Sequence, residues 1–321
     1  MLSIIRSWKS QVPPARKHFL KIRMRCLAGI LLIFGCTTPS FSGDDRAVLG
    51  SLNADSELAS FPNSATTLPG GTWSIEWSTL SYTDGSKVTA PMGSSDVLVR
   101  YGIVDPLEFR IYTQGITAQW GSNPAVGFSP LTFDVKARIL EPVEDYPWIP
   151  ALAFESALQT QLLGSAPFNS GTEPTFTLNV DQPLGQFLFQ YNLGTMRYMS
   201  PCKANQMDWN LTYSWSIEHD VTDAVTLFID GFYGGSVLPK VTTMSDVTTG
   251  ACITSGTPTN GQGKNGHLFG ENMVGGGLFW NVTPGFGTYI NVAGGTNSDS
   301  PGFMSYIGFL FTPRAYDEDL Q

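Results

Sequence analysis

The stretch from Tyr101 to Gly115, YGIVDPLEFRIYTQG, places extended runs on either side of a tight polar turn, and the second run alternates strictly. After the turn Leu107, Phe109, Ile111 and Thr113 point one way and Glu108, Arg110, Tyr112 and Gln114 the other, because successive side chains of a strand project to opposite faces. A two-faced strand of this kind belongs either to a soluble sandwich with the apolar face inside or to a membrane barrel with the charged face inside. Which face looks inward is the question the rest of the sequence must answer.

The same alternation recurs along the chain. TWSIEWSTLSY sets Trp73, Ile75 and Trp77 against Ser74, Glu76 and Ser78, and LTFDVKARIL sets Leu131, Phe133, Val135, Ala137 and Ile139 against Asp134, Lys136 and Arg138. ALAFESALQ sets Leu152, Phe154 and Leu158 against Glu155 and Gln159. With DVLVRYGI, LEFRIYTQG, TFTLNV, GQFLFQYNLG, DWNLTYSWSIE, AVTLFIDGFYG, GGGLFW, FGTYINVAGG and FMSYIGFLF, the reading gives twelve strands, most of the tight turns marked by Pro or Asp.

The connections alternate in length. After the second, sixth, eighth and tenth strands they are short, and after the fourth (EPVEDYPWIP) somewhat longer. After the odd strands they are mostly long, including TDGSKVTAPMGSS, AQWGSNPAVGFSP and the region from Gly234 to Lys264. Short turns at one end and long loops at the other are the pattern of an outer-membrane barrel with periplasmic turns and external loops, and an even strand count puts both termini in the periplasm.

The beginning of the chain agrees with export. Residues 1–42 hold seven basic residues and no acid, then the apolar CLAGILLIFGC and small residues Ser40 and Ser42, which reads as a signal peptide cleaved after Ser42. Met24 is an alternative start, and lipid attachment at Cys36 is the competing processing route, with Phe34 where a small residue is preferred. Cleavage leaves 11 basic against 27 acidic residues, a charge of −16, which argues against nucleic acid as a partner. It also leaves Cys202 and Cys252, two thiols in long loops of an oxidising compartment and therefore a disulfide candidate. No stretch after residue 42 approaches 18 consecutive apolar residues, so a membrane-spanning helix is not expected. The organisation expected is a signal peptide at 1–42, a flexible periplasmic lead-in at 43–70, a barrel at 71–312 and an acidic tail at 313–321.

Residue types favour the charged face inside. Trp73, Trp77, Trp209, Tyr213 and Trp215 crowd the apolar face near strand ends, where a membrane interface places an aromatic girdle. The opposite face offers lumen-lining candidates Arg100, Glu108, Arg110, Asp134, Lys136, Arg138, Glu155 and Asp230, acids and bases on strands that should be neighbours. The alternative is a solvated sheet face with scattered ion pairs worth about 0–1 kcal/mol each; the lumen is preferred because strand length, loop asymmetry and export agree on it. A twelve-stranded barrel with strands about 4.8 Å apart and tilted about 40° has a backbone diameter of roughly 24 Å.

Four hairpins, SDVLVRYGIVDPLEFRIYTQG, QPLGQFLFQYNLG, WSIEHDVTDAVTLFIDGFYG and GGGLFWNVTPGFGTYINVAGG, resemble those of the outer-membrane proteins named for the meta-pathway of phenol degradation, labelled transporters. The resemblance spans roughly Gly70 to Pro313 and rests on hairpin pattern. It implies a barrel porin admitting hydrophobic or aromatic compounds. The chain departs from the usual terminal aromatic of such barrels, since Phe311 is followed by TPRAYDEDLQ.

Enzyme signatures are missing from the sequence. There is no G-x-S-x-G elbow, P-loop or dinucleotide fingerprint, and neither His219, in the EHDVTD turn, nor His267 has a second ligand at metal spacing. No catalytic residue, cofactor or metal is assigned. Two rival readings stay open: a lipid-hydrolysing barrel using His267 with Ser298 or Ser300, and a plugged structural or adhesive barrel. The expectation is a passive outer-membrane channel for small solutes, with outer-membrane lipid around it.

Overall fold

The computed structural model describes residues 56–85, 90–121, 124–141, 148–169, 171–199, 207–234, 271–283, 285–297 and 300–312. The expected signal peptide, Cys36, Cys202, Cys252, His267, Ser298 and the tail at 313–321 lie outside the described residues.

Twelve strands form the wall: β1 (Trp73–Thr83), β2 (Met92–Val104), β3 (Leu107–Thr113), β6 (Thr132–Leu140), β7 (Ala151–Gln159), β8 (Glu173–Leu184), β9 (Phe187–Met199), β10 (Met207–Thr222), β11 (Val225–Tyr233), β12 (Asn272–Thr283), β13 (Phe286–Gly295) and β14 (Met304–Phe311). Each pairs antiparallel with the next, and β1 pairs with both β2 and β14, so the sheet closes and no edge is left to aggregate. All twelve correspond to the alternating runs of the sequence. One element was not anticipated. The loop AQWGSNPAVGFSP and the residues before it fold into a short hairpin, β4 (Ile116–Gln119) and β5 (Ala125–Phe128), and β4 extends the wall by pairing Thr117–Gln119 with Met92–Ser94 of β2.

Closure settles which face is inside. Arg110, Lys136, Glu108 and Glu155 are fully buried, whereas outward-facing Trp73, Trp209, Leu193 and Ile139 are 45%, 48%, 50% and 64% exposed. A soluble sheet would reverse this, because an exposed apolar face loses about 25 cal/mol for every Å² left in water. Against lipid the same face incurs no such cost. Aromatic side chains stack across strands on the outside, Phe154 with Phe176 and Phe176 with Trp209 at centroid distances of 6.4 and 6.1 Å. Among the described residues no helix is long and apolar enough to cross a membrane; the strands do so.

Of the expected lead-in at 43–70, residues 56–70 are described. Residues 57–65 are all buried and lie within the barrel. Gly102 on β2 lets this segment pass: a Cβ there would stand 2.2 Å from the Pro69 carbonyl oxygen and 2.6 Å from that of Leu68.

Candidate functional site

The lumen is built from strand register. On β2, β3 and β6 the pairs Arg100 with Arg110 and Arg110 with Asp134 stand side by side, and one row nearer the short turns Glu108 faces Lys136, which faces Glu155 on β7. Arg100 Nε lies 2.8 Å from Glu108 Oε1, with Glu76 at 3.5 Å, and Arg110 pairs with Asp134 and Glu155. Arg138 sits further along the same face but nearer the short-turn end, where it pairs with Glu141 at 2.6 Å and its side chain is 18% exposed. Asp230 is buried on β11, apart from this cluster, where it accepts a bond from Asn291 Nδ2 at 2.6 Å.

Into this wall fits the segment SELASFPNSATTLPG, residues 56–70, whose single charged residue is Glu57. Glu57 reaches all three cations buried among the described residues: Lys136 Nζ at 2.6 Å, Arg100 at 3.4 Å and Arg110 at 3.6 Å. The backbone then satisfies wall carboxylates one after another. Gly70 N–H donates to Asp105 in the β2–β3 turn, Leu68 N–H to Glu108 (2.7 Å), Ala65 N–H to Asp181 (2.8 Å) and Phe61 N–H to Asp230 (3.0 Å). The N–H groups of Glu57 and Leu58 both bind Glu76, at 3.0 and 2.9 Å. Asn63 bonds Asn192 through its backbone N–H and Glu155 through its side chain, and Lys136 Nζ donates to the carbonyls of Ser64 and Thr66 at 2.8 and 3.2 Å. The segment thus enters past Gly70 at the short-turn end, turns near Phe61-Pro62-Asn63 and returns to Ser56 beside Glu76. Irregular backbone inside a barrel is tolerated only when its polar groups find partners, and here the wall supplies them.

The lumen has two chemical sides. Opposite the charged strands, β11 to β14 turn apolar groups inward: Phe61 of the segment packs with Phe232, Met273, Ala293, Met304 and Tyr306. Leu58 and Ala59 pack with Leu98, Tyr112, Phe228 and Tyr289. Sequence reading missed both the segment and this apolar side. Strand β11 carries apolar residues on both faces, so alternation there gives a weak signal, and a polar, Pro-containing stretch such as 56–70 has no periodicity of its own.

Of the residues in the enzyme reading, Ser300 alone is among the described ones, and His219 is described as well. His219 Nδ1 lies 3.1 Å from the Gln186 carbonyl oxygen and its ring lies 5.0 Å from that of Phe187, within the short-turn end. Ser300 Oγ donates to Asn297 Oδ1 at 2.6 Å and accepts the Asn272 N–H at 2.8 Å, holding the β13–β14 connection.

The sequence matches no family model, and no curated protein matches it. Its fold does have solved counterparts. An outer-membrane channel from Pseudomonas putida F1 superposes with a TM-score of 0.53 at 11% identity, over 78% of this chain and 99% of that one. The NanC porin gives 0.45 at 10% identity, over 75% and 100%, and the outer-membrane phospholipase A of Escherichia coli gives 0.40 at 11%, over 80% and 98%. At these identities the likeness is one of fold: the chain is a barrel of the outer-membrane type.

Proposed function

We propose that the protein is a passive outer-membrane channel for small solutes, closed in this conformation by residues 56–69. The observation that carries the reading is how the lumen is filled. Its wall is polar and charged, as an aqueous path requires, and its content is a short segment held by hydrogen bonds and ion pairs. Such a segment can leave as one piece, since each bond it makes can be exchanged for one to water. Outer-membrane location is supported by the apolar outer belt and the barrel fold. The resemblance of the hairpins extends the reading to hydrophobic or aromatic solutes.

One observation favours the rival, a permanently plugged structural barrel: a cavity beside the segment, between Ser56, Ser60, Gln190 and Phe228, measures about 40 Å³, room for no more than a few waters. Conductance separates the two. Ala65 packs against Ala151 and Ala153 of β7, so A65C and A153C joined by a short cleavable bis-maleimide should fix the segment in place. The unlinked protein should conduct in planar bilayers, the linked one should not, and cleaving the linker should restore the current. Silence from both, and from a variant lacking 56–69 whose heat-modifiable gel mobility shows a folded barrel, would establish the plugged barrel instead.

A further inference from the structure

We infer that the apolar side of the lumen around Phe61 is a recognition site for an aromatic compound carrying an ammonium two carbons from its ring, and that Phe61 occupies it as an internal competitor. The inference rests on the channel reading and names a solute class for it. The Phe61 ring is fully buried, edge-on to Phe232 at 4.7 Å and to Tyr306 at 6.0 Å, with Met273, Ala293 and Met304 completing the enclosure. Its own backbone nitrogen donates to Asp230 Oδ2 at 3.0 Å, and Asn291, itself held by the Ala59 carbonyl at 3.0 Å, donates to the same oxygen. What the wall recognises is therefore a ring, two saturated carbons and an N–H. That is the skeleton of 2-phenylethylamine, contained in residue 61 itself.

Two further observations select a cation. The buried residues described comprise ten carboxylates and three bases, and a carboxylate-bearing solute would add to that excess. Arg100, Arg110 and Lys136 are engaged by Glu57, Glu76, Glu108, Asp134 and Glu155. An ammonium at Asp230 replaces a neutral N–H donor by a charge-assisted one. The Tyr306 hydroxyl, buried and without a hydrogen-bond partner among the described residues, gives the site a second polar point for a substituted ring. Because the solute and Phe61 share one site, binding of the solute displaces the segment, and solute entry is coupled to opening.

The test reads the segment directly. In the full-length protein with its other cysteines changed to serine, A65C is labelled by a maleimide in the presence of 2-phenylethylammonium, phenylacetate or ethylammonium. The aryl ammonium should accelerate labelling at least tenfold, the other two should not, and F61A should be labelled fast without any addition. D230N should abolish the acceleration; should D230N fail to fold, F232A, which removes the ring contact and keeps the carboxylate, should do so. Labelling that is unchanged by the aryl ammonium, equally accelerated by phenylacetate, or still accelerated in the folded variants overturns the assignment. Failure of the channel reading shows separately, as absence of conductance.

Discussion

Replacing Glu57 by Gln should unseat the re-entrant segment while leaving the barrel folded. Glu57 stands 2.6, 3.4 and 3.6 Å from Lys136, Arg100 and Arg110, attractions of roughly 4.5–6.5 kcal/mol each at an effective dielectric of about 20. They are offset by the desolvation of Glu57, several kcal/mol, and by repulsion from Glu76, Glu108, Asp134 and Glu155. Removing one member of a buried ion-pair network costs about 3–5 kcal/mol. The lower end applies here, because Arg100 keeps Glu76 and Glu108, Arg110 keeps Asp134 and Glu155, and Lys136 keeps two carbonyls. The pairs of Arg100 and Arg110 with Glu76, Glu108, Asp134 and Glu155 lie within the wall and remain in the open state, so the loss falls on seating: about 3 kcal/mol, or on the order of a hundredfold in the ratio of open to closed. Single-channel open probability in planar bilayers, for E57Q against the unaltered protein, measures it, with heat-modifiable gel mobility as the check on the barrel. An unchanged open probability in a folded E57Q barrel would falsify the view that this carboxylate anchors the segment.

Other outcomes follow from the same geometry. K136M removes contacts to Glu57, Ser64 and Thr66 together and leaves Glu108 and Glu155 without the cation between them; it should open the channel further than E57Q and also lower barrel stability by about 3–5 kcal/mol in thermal denaturation. The open channel should prefer cations, with the reversal potential across a KCl gradient shifting further that way in R138Q, which takes the partner from Glu141; an anion-preferring channel would contradict the acidic lumen. L193R places a charge on a half-exposed outward residue that pairs with Leu178 and Tyr213 in mid-wall, and should cost about 2–4 kcal/mol in refolding into lipid vesicles, with little loss in a soluble-sheet context. We also propose that Cys202 and Cys252, in the connections β9–β10 and β11–β12 at the long-loop end, are joined, closing a span of about 50 residues at a gain of a few kcal/mol; titration of two free thiols under non-reducing conditions would refute the link.

The sequence by itself determined the wall. Period-two alternation at LEFRIYTQG and LTFDVKARIL, and the contrast of short and long connections, suffice for twelve strands and their order, because each strand's faces are dictated by its immediate neighbours in sequence. The positions of Arg100, Glu108, Arg110, Asp134, Lys136, Glu155 and Asp230 on one face are legible for the same reason. Local pattern could not say what those groups meet. Glu76, Asp181 and Asp230 each accept from backbone N–H groups of the segment, those of residues 57, 58, 65 and 61, and every residue but proline offers such a group, so this part of the match has no side-chain signature. Likewise the enclosure of Phe61 by Phe232, Met273, Met304 and Tyr306 joins residues up to 245 positions apart that only barrel closure brings together. Tertiary structure decided the state of the lumen because filling it is a balance of contacts across the ring, and sequence periodicity describes each strand alone.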